Sequence, residues 1–113
     1  MPNLDYEIFE MFSEQFEVNQ GYFEPNVLAL ESDETYESSV NELFRMFHNY
    51  KATTAYLGIS VIHEVVTKTE NVLSALRVQS APANDAVIEW LLEVKDQFDI
   101  WQEEMRDGLT NFS

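Results

Sequence analysis

The stretch Leu43-Phe44-Arg45-Met46-Phe47-His48-Asn49-Tyr50-Lys51-Ala52-Thr53-Thr54-Ala55-Tyr56-Leu57-Gly58 decides the fold. Leu43, Phe47, Tyr50, Thr54 and Leu57 recur at spacings of four, three, four and three. That is one apolar stripe of a 3.6-residue helix. Phe44, His48, Lys51, Ala52 and Ala55 form a second stripe, centred roughly 120° away at about 100° per residue. The histidine therefore faces away from the buried side. Gly58 follows the last stripe residue, where a helix stop is expected.

The same pattern repeats along the chain. A first helix is expected from about Leu4 to Leu30, with Phe9, Phe12, Phe16, Phe23, Val27 and Leu30 in register and Asn19 in the slot between. Gly21 and Pro25 interrupt it. Proline clashes with the carbonyl of residue i−4, here Gly21, so one kinked helix is expected rather than two. Glu31 to Glu34 reads as a connection, and the second helix as running from about Tyr36 to Tyr56. Ser60 reads as N-cap of a third helix, from Val61 to about Val78, with Ile62, Val66, Thr69, Leu73 and Leu76 inward. Ser80 to Ala83 reads as a turn, and Asn84 or Asp85 as the cap of a fourth helix. There Val87, Leu91, Val94, Phe98, Trp101 and Met105 form the stripe. Long amphipathic helices with short connections imply an all-α, antiparallel up-down-up-down four-helix bundle, 1–113 forming one domain.

Composition agrees. Hydrophobic residues make up 45% and aromatics 13% of 113 residues, which argues for a packed core. With 3 Gly and 3 Pro there is little material for the turns of an all-β fold. Against 21 Asp and Glu stand 6 Lys and Arg, a formal charge of −15. Nucleic acid and anionic membrane would repel such a chain. Absence of cysteine excludes disulfides and thiolate metal sites. No run approaches the ~20 apolar residues of a membrane span and no basic, apolar leader is present, so the expected location is the cytoplasm.

His48 is the chemical candidate. Its imidazole is solvent-facing, Lys51 lies one turn on, and two alanines leave room for a large group to approach. A neutral imidazole nitrogen is a good nucleophile near neutral pH, and a lysine is a point charge suited to phosphate. On the third helix His63, Thr67 and Glu70 lie at i, i+4 and i+7, a flank able to meet the second helix at His48. Metal binding by His63 with His48 and Glu70 has no supporting ligand spacing. A free-standing enzyme using His48 as general base lacks a nucleophile and substrate-binding groups. With no Gly-rich loop there is no phosphate cradle, so no cofactor is expected on the chain.

His48-x-x-Lys51-Ala52-x-x-x-Tyr56-Leu57-Gly58 resembles the signature of histidine phosphotransfer (HPt) domains, above all the amino-terminal phosphotransfer domain of CheA-type chemotaxis histidine kinases. Leu43-Phe44-Arg45, Glu70-Asn71-Val72-Leu73 and Leu92-Glu93-Val94-Lys95-Asp96 are similar to that family's segments in the same order, covering roughly Phe12 to Arg106. The resemblance implies a phosphocarrier of two-component signalling. His48 would take a phosphoryl group on Nε2 from a histidine kinase catalytic domain and pass it to an aspartate of a response-regulator receiver domain. ATP and magnesium would be supplied at those partners. Glu70 would orient His48, Lys51 would shield the phosphoryl oxygens, and Phe44, Ala52 and Ala55 would be covered by the partner. Two positions depart from the pattern: Ala52 stands where the family usually has glycine, and Thr67 where close relatives often carry a second histidine. They are the case for an alternative, a non-catalytic helical docking module that keeps the HPt surface without carrying phosphate. The ending from Gly108 reads as the beginning of a continuation.

Overall fold

The computed structural model describes residues 5–79, 83–108 and 112. They form four helices: α1 (Tyr6–Leu28), α2 (Tyr36–Leu57), α3 (Ser60–Val78) and α4 (Asp85–Arg106). A single 3₁₀ turn, Ala29–Glu31, follows α1. No strand occurs among the described residues. The turn expected at 80–83 lies, but for Ala83, outside the described residues, as do Leu4 and all but Gly108 and Phe112 of the ending.

Each boundary has a local cause. Asp5 caps α1 by accepting from the Ile8 N–H at 3.1 Å, and Asn84 caps α4 by accepting from Val87 N–H at 3.0 Å. Gly58 stops α2 in the left-handed conformation, φ 71°. Ile59 N–H reaches back to Thr54 O and Gly58 N–H to Ala55 O, which satisfies carbonyls the helix end leaves open. Helix α1 runs unbroken through Gly21 and Pro25, as one helix. Ser60 does not cap α3. It is the first helical residue, and Ile59 holds the cap position with no side-chain bond.

Pairs across the helices fix the topology. Between α2 and α3, Tyr36 OH donates to Leu76 O at 2.7 Å and Thr54 Oγ1 meets His63 Nδ1 at 2.9 Å, so position rises on one helix as it falls on the other. Gln20 to Asp99 and Arg106 to Glu17 do the same for α4 and α1. Tyr56 to Asp5 and the Phe23–Phe47 ring pair do so for α1 and α2. All three pairings are antiparallel. The molecule measures 46 × 21 × 20 Å, the shape of a bundle whose 22-residue helices are each about 33 Å long.

The core is aromatic. Phe16, Phe23, Phe47, Tyr50, Phe98 and Trp101 are buried, with neighbouring ring centroids 4.9–6.0 Å apart in tilted or edge-on arrangements. The stripes read from sequence on α2 and α3 are buried throughout. Two positions differ by one residue. Gln20, not Asn19, is buried on α1, because its amide donates to Asp99 Oδ1 at 2.7 Å. Ile88 is buried on α4 while Val87 is only partly so, the first turn meeting the core at a slightly rotated angle.

Burial of Tyr50 has a consequence. Its hydroxyl closes no hydrogen bond among the described residues, and burial holds its ionisation well above the usual tyrosine value, against a smaller opposing influence of the Asn19 side chain. The folded state thus resists a deprotonation that the unfolded chain undergoes at about pH 10. That contribution to stability is intact below about pH 10 and declines above it. Tyr50→Phe should leave stability at neutral pH unchanged or raised, since an unsatisfied hydroxyl is removed. It should also flatten the alkaline decline, measured by urea unfolding at neutral and alkaline pH.

Candidate functional site

The buried stripes of α2 and α3 press the two helices together and leave a flank of each side by side. On α2 that flank carries Asn41, Phe44, His48, Lys51 and Ala55; on α3 it carries His63, Thr67, Glu70, Ser74 and Arg77. Both follow spacings of three and four. Antiparallel pairing brings Glu70 opposite His48 and Lys51.

Glu70 is the centre. Its side chain is only 12% exposed, while His48 is 66% and Lys51 41% exposed. One carboxylate oxygen, Oε1, lies 3.4 Å from Lys51 Nζ. The other, Oε2, lies 3.5 Å from His48 Nδ1 and is buried without a closed hydrogen bond. At 3.5 Å this is an ion-pair distance at the outer edge of hydrogen bonding. Such contacts tighten when charge develops on the ring. A carboxylate facing Nδ1 favours the tautomer with its proton there, leaving the Nε2 lone pair toward solvent. The result is an exposed nucleophilic nitrogen, a buried acceptor behind the ring, and an ammonium beside it that attracts anions.

The remaining candidates are distributed differently. Ala52 and Ala55 are exposed on the His48 side of α2. Phe44 is partly buried and packs on the core edge, and its ring lies nearly parallel to that of His48, 5.9 Å between centroids and 14° between planes. Thr67 turns its hydroxyl to His63 Nε2 at 3.5 Å, one turn below the His48–Glu70 level. His63 is held by Thr54, whose hydroxyl donates to Tyr50 O at 2.8 Å and so accepts from the His63 Nδ1–H at 2.9 Å. This ties the second histidine to the helix interface. Among the described residues no group of three His, Asp or Glu is arranged to hold a metal ion.

Sequence reading stopped at Glu70 and missed Arg77. Its guanidinium carbon sits 4.1 Å from the Phe44 ring centroid, and its Nε donates to Asn41 Oδ1 at 3.2 Å. Two further steps along the flank, of four and three residues, would have reached it.

The chain also has relatives in sequence. The chain is 28% identical over 102 residues to chemotaxis protein CheA of Treponema pallidum (strain Nichols), covering 85% of this chain and 13% of that protein. It is also 28% identical over 99 residues to chemotaxis protein CheA of Borreliella burgdorferi, covering 85% of this chain and 12% of the relative. The chain thus spans only about an eighth of the curated relatives it matches. No family model matches the chain. No solved structure matches it. Among the described residues no helix is long and apolar enough to cross a membrane.

Proposed function

We propose that this chain is a histidine phosphotransfer domain that carries a phosphoryl group on His48. The observation that carries the reading is the buried Glu70 carboxylate facing Nδ1 of a two-thirds-exposed His48, with Lys51 on its other oxygen. Similarity to two CheA proteins supports it and suggests a place in chemotaxis signalling.

In this reading Nε2 of His48 attacks the γ-phosphorus of ATP held by a separate kinase catalytic domain. A nitrogen–phosphorus bond forms as the bond to the ADP oxygen breaks. Positive charge grows on the imidazole, and Glu70 stabilises it through Nδ1–H. Lys51 meets the phosphoryl oxygens, which compete with Glu70 for its ammonium. In the second transfer an aspartate oxygen of a receiver domain attacks the phosphorus, and the electron pair of the breaking bond returns to Nε2. Magnesium at the partner domains supplies charge neutralisation for both transfers. The exposed Ala52 and Ala55, with Phe44 at the edge, leave the approach to His48 clear for those domains.

Incubation with a CheA-type kinase catalytic domain and ATP should give an acid-labile, base-stable phosphate. His48→Gln should abolish it, and phosphate on His63 or retained in that variant would overturn the assignment. Glu70→Ala removes an acceptor for a charged donor, worth about 1.5–3 kcal/mol, so phosphorylation should slow roughly ten- to a hundredfold. Lys51→Ala should cost less, about severalfold, because its ammonium is screened by solvent. Unchanged rates in both variants would reduce the pair to surface charge.

The docking face is tested separately. Ala55→Trp should block transfer to a receiver domain while leaving thermal stability nearly unchanged, because the position is exposed. Ala52→Gly should speed transfer and lower helix stability by about 1 kcal/mol. Receiver binding without any phosphorylation, in wild type and Ala52→Gly alike, would favour the docking-module alternative.

A further inference from the structure

The His48 ring is held at one atom only loosely. Its Nδ1 is 3.5 Å from Glu70, and rotation of an imidazole about its last side-chain bond is broad. A contact of that length restrains the rotation of the ring only weakly. Beside it lies the Phe44 ring, within 14° of parallel and 5.9 Å away between centroids. Phe44 in turn lies under a cation. The Arg77 guanidinium carbon is 4.1 Å from the Phe44 centroid, within the range of cation–π attraction. Arg77 is itself anchored to Asn41, one turn before Phe44, while His48 is one turn after. Along α2 the phenyl ring is thus bracketed by guanidinium and imidazole.

We infer that Arg77 is a positioning residue for His48, acting through Phe44: the cation pins the phenyl ring, and the phenyl ring fixes the imidazole plane that directs Nε2 outward. Arg77 sits on the same flank of α3 as Glu70, two turns further on, so one helix supplies both controls. Glu70 fixes the tautomer and Arg77 fixes the plane. The inference rests on the phosphocarrier reading for its consequence in phosphorylation, though the ring ordering itself does not depend on that reading.

The test uses the full chain, with phosphoramidate as phosphodonor, a reagent too small to need a docking surface. Arg77→Ala should slow phosphorylation of His48 about two- to fivefold, the effect of losing one exposed cation–π contact. Phe44→Leu should slow it at least as much. The double variant should be no slower than Phe44→Leu alone, because the two act in series. Arg77→Lys should recover part of the rate. In parallel, the His48 ring protons should show an upfield ring-current shift in the wild-type NMR spectrum that Arg77→Ala and Phe44→Leu both lose. Three results would overturn the inference: no change in the ring-proton shift in Arg77→Ala, additive losses in the double variant, or a loss seen only with the kinase domain, which would make Arg77 a docking contact. A wild type that accepts no phosphate would sink the phosphocarrier reading instead, and the ring-proton shift would then decide the role of Arg77.

Discussion

The antiparallel packing of α2 on α3 is the constraint on which the site depends. It is enforced by apolar stripes that bury Leu43, Phe47 and Leu57 against Ile62, Val66 and Leu73. A slip of one turn on either helix would carry Glu70 away from His48 by about 5 Å. Two polar contacts between the helices resist such a slip, Tyr36 to the Leu76 carbonyl at one end and Thr54 to His63 at the other. If the register moves, Thr54 loses His63 and the buried Tyr36 hydroxyl loses the Leu76 carbonyl, the latter at a cost of about 1–3 kcal/mol. The cluster of His48, Lys51 and Glu70 is therefore positioned by residues outside it.

Charge is distributed in keeping with that division. With 21 acidic residues against 6 basic ones, most carboxylates have no cation to meet and lie on solvated faces. Two of the six basic residues, Lys51 and Arg77, stand on the His48 flank. Glu70 differs from most of the other acids in being nearly buried, a position an isolated carboxylate does not favour. Lys51 and the His48 imidazole offset that cost. The site is a small departure in polarity on an otherwise strongly acidic surface.

Much of this was legible in the sequence. Helical periodicity gave α2 and α3 with their inward faces, because both helices are half-buried and their stripes are unmixed. Glu70 was legible as a partner of His48 because His63, Thr67 and Glu70 share one flank. Periodicity says less where a polar residue is buried for a specific partner: Gln20 replaced Asn19 inside because Asp99, 79 residues away, accepts from it. Thr67 and His63 were legible as members of the Glu70 flank. Their levels relative to His48 depend on inter-helix register, which a single helix cannot reveal. Arg77 was not legible because its contact with the Phe44 ring depends on that same register.

In the proposed function, the chemistry turns on which imidazole nitrogen is free to react. Glu70 facing Nδ1 leaves Nε2 as the nucleophile, so the most direct measurement is the position of the phosphoryl group on the ring. Nitrogen-15 and phosphorus-31 NMR of the phosphorylated, isotopically labelled chain reads this from the nitrogen that couples to phosphorus. The expected result is phosphorus on Nε2 of His48 with a proton retained on Nδ1. Phosphorus on Nδ1, or on a ring other than that of His48, would contradict it.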